Sequence, residues 1–398
     1  MIMDKLNHIF QEFINLGKYP GIQWKIIYKK RNYEGKVGYK NLDTKENIQD
    51  DTLYRIWSMT KPIVAVAAMQ LIEKNFIQLN DPINSYLPEF NDLRVLKNEK
   101  EIITNTIHLK KQPTIKDLLL HTAGFSYNFL DDPVGKEYDQ IKLFNSSSSS
   151  LEEEIKLLAK LPLLYQPSDK WRYSVSMDVL GRILEVIMKT PLQDILKNQI
   201  FLPLGMHDTD FYISEKNTSR LMQSYEYNHL ENKLTKHILD DQKIGTYGYP
   251  LNNKNFARGG HGLFSSINDY MLFAEMLHSG KSKNGKEIIS KNTIDYMTTN
   301  FLNPNFFPIE IVSVGTVKDQ NYVNDLEPYG WGLGFRTLID PLKNNNLGSK
   351  GEFGWAGAAA TYFLIDFKKE ISAVLMTQTL NGDPSLKNDF YKFIYTNF

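Results

Sequence analysis

The 398-residue chain contains no cysteine. A disulfide framework, a thiolate nucleophile, a Cys-based metal site and a dithiol redox pair are therefore excluded. Charge of either sign is not in excess, with 46 basic against 46 acidic residues, and Lys and Arg form no clustered run. That balance argues against a dedicated nucleic-acid or membrane-surface protein. No apolar stretch approaches the length of a membrane-spanning helix. His-Glu-x-x-His, Gly-x-Ser-x-Gly and the glycine loops of nucleotide binding are missing as well, so neither a metal nor a cofactor is expected. The amino end, Met1 to His8, runs into an amphipathic helix without the apolar block and small-residue cleavage site of a secretory signal, which points to the cytoplasm. A small-molecule partner is left as the expectation.

What is present begins at Trp57-Ser58-Met59-Thr60-Lys61-Pro62, the chain's one Ser-x-x-Lys pair. Three residues are nearly one helical turn, so a helix starting near Ser58 brings the Lys61 amine to the serine hydroxyl. The sequel Ile63 to Met69 has no polar face and reads as a helix buried all round. Burial and a helix start both disfavour an ammonium, which makes Lys61 a candidate proton acceptor and Ser58 a candidate nucleophile. A helix cap and a snorkelling amine are the alternative for this pair taken alone.

Leu6, Ile9, Phe10, Phe13 and Ile14 form one helical stripe. Ile22 to Tyr28 and Tyr33 to Tyr39 alternate about a turn expected at Arg31-Asn32, and residues 360–365 and 371–376 form a second hairpin. Leu386, Phe390, Phe393 and Ile394 share a face of a last helix, expected to cover the same side of the sheet as the first. Residues 1–75 and 300–398 are thus expected to build one sheet domain, with 76–299 a mostly helical insertion holding few strands. Asn145 to Ser150 is a low-complexity loop, Ser150 and Glu153 form a capping box, and Arg94 to Gln112 reads as an exposed excursion.

Two further segments complete a pattern. Trp171-Arg172-Tyr173-Ser174-Val175-Ser176-Met177-Asp178-Val179-Leu180-Gly181 and Gly354-Trp355-Ala356-Gly357-Ala358, with the Ser-x-x-Lys pair, resemble the serine β-lactamase, penicillin-binding-protein and family VIII esterase superfamily. Supporting segments are Leu79 to Pro82, Leu118 to Gly124, Pro203 to Thr209 and Gly259 to Ser266. The resemblance implies an α+β, β-lactamase/transpeptidase-like fold, an antiparallel sheet flanked by terminal helices with the site in a cleft against the helical insertion. It implies acyl transfer through a Ser58 ester, Lys61 or Tyr173 as general base, and an oxyanion hole from the Ser58 and Ala358 amides. A tyrosine beside an ammonium can ionise below its usual value near 10, so the two bases stay open. Trp355, Ala356 and Gly357 would line the substrate. Trp355 stands where a β-lactamase has lysine, and Val175 where it has asparagine, so an apolar wall replaces two polar contacts and uncharged short-acyl esters are favoured. The histidines His121 and His261 are read as structural. A β-lactamase or D-amino-acid peptidase, and a binding protein keeping the fold, are the alternatives.

Overall fold

The computed structural model describes residues 2–144, 149–237, 249, 251, 255–314 and 323–398. Eight antiparallel strands form the main sheet in the order Tyr329–Trp331, Arg336–Leu338, Phe353–Gly357, Thr361–Asp366, Ile371–Met376, Gly21–Tyr28, Arg31–Asn41 and Glu46–Asn47. The two chain ends meet where Gly21–Tyr28 pairs with Ile371–Met376. In the latter strand every residue is buried: Ile371, Ala373 and Leu375 face one core, Val374 and Met376 the other. A strand covered on both faces has no reason to alternate with polar residues, which accounts for five apolar residues in six; the one exception, Ser372, is hydrogen-bonded to Glu275 and His278.

One face lies under the terminal helices Ile2–Asn15 and Ser385–Asn397. Leu6, Phe10 and Phe13 pack there with Trp24, Leu386 and Phe390. The other face receives helix Ile267–Ser279, which lies inside residues 76–299 yet packs on Ile371–Met376. Helix Thr60–Glu73, inside residues 1–75, packs against helices Ser176–Met188 and Leu192–Leu196. It is buried from Thr60 through Leu71, as its lack of a polar face requires.

The first hairpin turns two residues earlier than expected. Tyr28 pairs with Arg31, leaving Lys29 and Lys30 as a two-residue loop with φ of 47° and 65°. Positive φ at both positions matches the right-handed twist of the strands, and this requirement prevailed over the absence of Gly or Asn. Between residues 76 and 300 the chain also holds more strand than its composition suggests. Arg94–Leu96 pairs with Thr106–His108, Tyr225–Asn228 with Lys233–Lys236, and Phe264–Ser266 with Leu53–Arg55 from outside that range. The Ser150–Glu153 capping box opens helix Leu151–Leu158; of the serine-rich run, Asn145 to Ser148 lie outside the described residues. Among the described residues no helix is long and apolar enough to cross a membrane.

Candidate active site

Ser58 sits in a 3-10 turn, Trp57–Met59, that runs directly into helix Thr60–Glu73. Trp57 adopts φ 46°, an unusual conformation for an aromatic residue. Its amide donates to the Tyr249 hydroxyl at 3.3 Å and its indole packs edge-on against that ring. The turn thereby presents Ser58 to a cleft of about 790 Å³.

The Lys61 amine lies 3.0 Å from Ser58 Oγ and donates to the Gly260 carbonyl at 2.7 Å. The side chain is 1% exposed. The rings of Tyr173 and Tyr127 stand 4.6 and 5.1 Å from the amine. Burial pulls its pKa down to about 7, against the opposing pull of the Asp178 carboxylate. Asp178 is itself buried, and burial pushes its pKa up to about 6 although Gly260 N–H donates to Oδ1 at 3.0 Å. The Gly260 peptide therefore bridges the two groups, its carbonyl on Lys61 and its amide on Asp178. A Cβ at position 260 would stand 2.5 Å from both Asp178 Oδ2 and the Tyr127 hydroxyl, so only glycine leaves room for this bridge.

Tyr173 enters from the segment before helix Ser176–Met188. Its phenol meets Ser58 and accepts a hydrogen bond from the Trp355 indole at 3.2 Å. Burial raises its pKa well above the usual phenol value, outweighing both hydrogen bonds. Of the two bases that the sequence left open, the phenol is the one held protonated, because the enclosing rings of His121, Trp331 and Trp355 make desolvation the larger effect.

Trp355 is more than an apolar wall, since its N–H is spent on Tyr173. Ala356, Gly357 and Ala358 continue along the cleft from strand Phe353–Gly357. A Cβ at Gly357 would come within 2.5 Å of the Ile56 carbonyl, so this strand end runs tightly beside the Ser58 turn. Neither the Ser58 nor the Ala358 amide is engaged by a hydrogen bond among the described residues. His121 is buried with its pKa depressed by desolvation; Nδ1 accepts from the Ser174 amide at 3.3 Å, and the ring packs on Tyr173.

Asp178, Gly260, Tyr127 and Trp331 were not singled out from sequence. Asp178 and Gly260 lie in the motif-bearing segments, five residues after Tyr173 and one before His261, and that proximity was the available signal. The cleft is also more polar than Trp355 and Val175 suggest. Asn128 lines it with an amide that has no hydrogen-bond partner among the described residues, and so do Arg336, paired with Glu352 at 2.8 Å, and Lys387, 3.8 Å from Asp325. No group of three or more His, Cys, Asp and Glu side chains that could hold a metal occurs among the described residues.

A β-lactamase family model matches residues 6–394. Protein Rv1367c of Mycobacterium tuberculosis is 29% identical over 350 residues, 86% of this chain and 81% of the relative. Esterase EstB of Burkholderia gladioli is 25% identical over 361 residues, 87% of this chain and 82% of its own. The solved structure of EstCE1, a hydrolase with promiscuous acyltransferase activity, shares the fold with a TM-score of 0.81 at 23% identity, covering 99% of this chain and 98% of that one.

Proposed function

The chain belongs to the β-lactamase family, and from that membership and the geometry of its cleft we propose that it is a serine hydrolase cleaving small, uncharged carboxylic esters through a Ser58 acyl-enzyme. The observation that carries this reading is the Lys61 amine, held 3.0 Å from Ser58 Oγ with its pKa drawn down to about 7. A substantial fraction of the amine is neutral near pH 7. With one N–H on the Gly260 carbonyl, its lone pair is free to take the serine proton as Oγ attacks the ester carbon.

Tyr173 acts in the opposite direction. Its phenol stays protonated, and because the Trp355 N–H already points at the oxygen, its own proton is free for Ser58 Oγ or the departing alkoxide. The division of labour is Lys61 as base and Tyr173 as donor to the leaving group, after which the proton that Lys61 took from Ser58 passes to the Tyr173 oxygen and both groups return to their starting states. The unengaged amides of Ser58 and Ala358 are suited to the oxyanion, a contribution worth roughly a hundred- to a thousandfold per donor. Trp57, Tyr127, Phe129, Phe144 and Trp355 surround the nucleophile with apolar surface, which favours an uncharged acyl group over the carboxylate of a β-lactam. Esterase EstB, a relative over most of the chain, is consistent with ester chemistry.

The test is hydrolysis of p-nitrophenyl butyrate beside nitrocefin by the purified protein and its Ser58→Ala variant. Butyrate cleavage that is abolished in Ser58→Ala, with nitrocefin turned over far more slowly, is the expected result. Faster nitrocefin turnover would overturn the substrate class, and full activity in Ser58→Ala would overturn the nucleophile.

A further inference from the structure

Lys61 and Tyr173 account for the proton that leaves Ser58, but the second half-reaction brings in a new molecule, a water, that also has to be held. Lys61 can take a proton from it, but neither Lys61 nor Tyr173 has a further group to spare for orienting it. The Lys61 amine is engaged by Gly260 and Ser58 and faced by two tyrosine rings; the Tyr173 oxygen already accepts from Trp355.

His261 is placed differently. It lines the cleft together with Ser58 and Gly260, is half-buried, and neither ring nitrogen has a protein hydrogen-bond partner among the described residues. Its backbone follows directly on the Gly260 carbonyl that anchors Lys61, in a segment with no slack: a Cβ at Gly259 would lie 1.8 Å from the Met177 carbonyl oxygen. Edge contacts from Phe256 at 5.7 Å and Tyr249 at 6.2 Å set the ring plane. Enclosure, then the charges of Lys61 and Arg258, hold the imidazole well below its usual pKa, so it is neutral at working pH. A neutral imidazole has one N–H and one lone pair, the complement a water needs to be both held and aimed.

We propose that His261 touches the water that cleaves the Ser58 acyl ester, accepting a hydrogen bond from it while its oxygen attacks the acyl carbon. The inference rests on the acyl-enzyme reading above. In the step, the water oxygen bonds to the acyl carbon, the bond from that carbon to Ser58 Oγ breaks, one water proton passes to the Lys61 amine and from there to Ser58 Oγ, and the other stays on the product acid. His261 ends in the protonation state in which it began.

Pre-steady-state hydrolysis of p-nitrophenyl butyrate by the wild type, His261→Phe and His261→Asn tests this, with the rate of Ser58 labelling by a fluorophosphonate measured on the same samples. In His261→Phe the expected result is a burst of about one p-nitrophenol per enzyme, with kcat and KM both lowered roughly tenfold or more and kcat/KM unchanged within about twofold, because acylation is spared. His261→Asn, which keeps a hydrogen-bonding group, should recover part of kcat. An unchanged kcat in His261→Phe would overturn the proposal. So would parallel loss of kcat/KM and fluorophosphonate labelling in both variants, which would give the ring a purely structural role. Failure of the acyl-enzyme itself would look different: wild-type Ser58 would resist the fluorophosphonate, and Ser58→Ala would still hydrolyse the ester.

Discussion

An ammonium enclosed as Lys61 is, between two tyrosine rings and a peptide carbonyl, loses its hydration shell, and the nearest compensation is the buried carboxylate of Asp178 across the Gly260 peptide. The reaction needs the neutral amine, so kcat/KM for an uncharged ester should rise with pH through about 7 and then level. Asp178 favours the charged amine; removing its charge lowers the lysine pKa further. Asp178→Asn should therefore move this acidic limb to lower pH, while the amide oxygen of the new side chain still accepts from Gly260 N–H. A pH series of kcat/KM from 5 to 9 checks it, and a limb that stays in place or moves up would assign the charge elsewhere. Ser58 and Lys61 were legible because three residues of local geometry suffice to bring them together. The groups that tune them were not: Gly260 reaches Lys61 across 199 positions and Trp355 reaches Tyr173 across 182, separations that only packing closes. The direction of the Tyr173 shift was not legible for the same reason, since desolvation depends on neighbours contributed by distant segments.

At the scale of elements, the cleft depends on how closely the segment around Gly259 approaches the start of helix Ser176–Met188. The projected Cβ at Gly259 meets backbone, the Met177 carbonyl oxygen at 1.8 Å and its carbon at 2.6 Å, so no side-chain rotation relieves it. Gly259→Ala should lower unfolding stability by roughly 2 kcal/mol or more, and because Gly260 holds Lys61, esterase activity should fall more than the folded fraction does. Urea unfolding and activity on the same sample separate the two, and a variant with wild-type stability would mean that the segment can retreat. Helix Thr60–Glu73 was legible from its unbroken apolar run, and the terminal helices from their single stripes. The Lys29–Lys30 turn carries none of the usual Gly, Asn or Asp signals, and Tyr225–Asn228 and Lys233–Lys236 are strands of only four residues, the first of which also pairs with the distant Thr379–Leu380. Helix Ile267–Ser279 was legible as part of a helical region, whereas its seat on the sheet is a long-range fact.

For the whole molecule, the consequence of this topology is that the two chain ends hold one side of the cleft together. Strand Phe353–Gly357, carrying Trp355 and Gly357, is two strands away from Ile371–Met376, which in turn pairs with Gly21–Tyr28. The terminal helices seal that sheet from behind, with Phe10 and Phe390 both 0% exposed and their rings 6.0 Å apart. Either residue changed to alanine should cost about 3–5 kcal/mol from lost burial and the cavity left behind. If the first and last helices stabilise each other rather than the sheet alone, the double variant should cost less than the sum of the singles by about 0.5–1.5 kcal/mol, the usual worth of an aromatic pair. Strict additivity in urea melts would mean that each helix docks on the sheet independently. Because the substrate wall is a strand of the same sheet, ester hydrolysis in all three variants should fall with the unfolding transition seen by circular dichroism. Loss of activity well before that transition would instead show the strand edge at Trp355 loosening while the rest of the sheet stays folded.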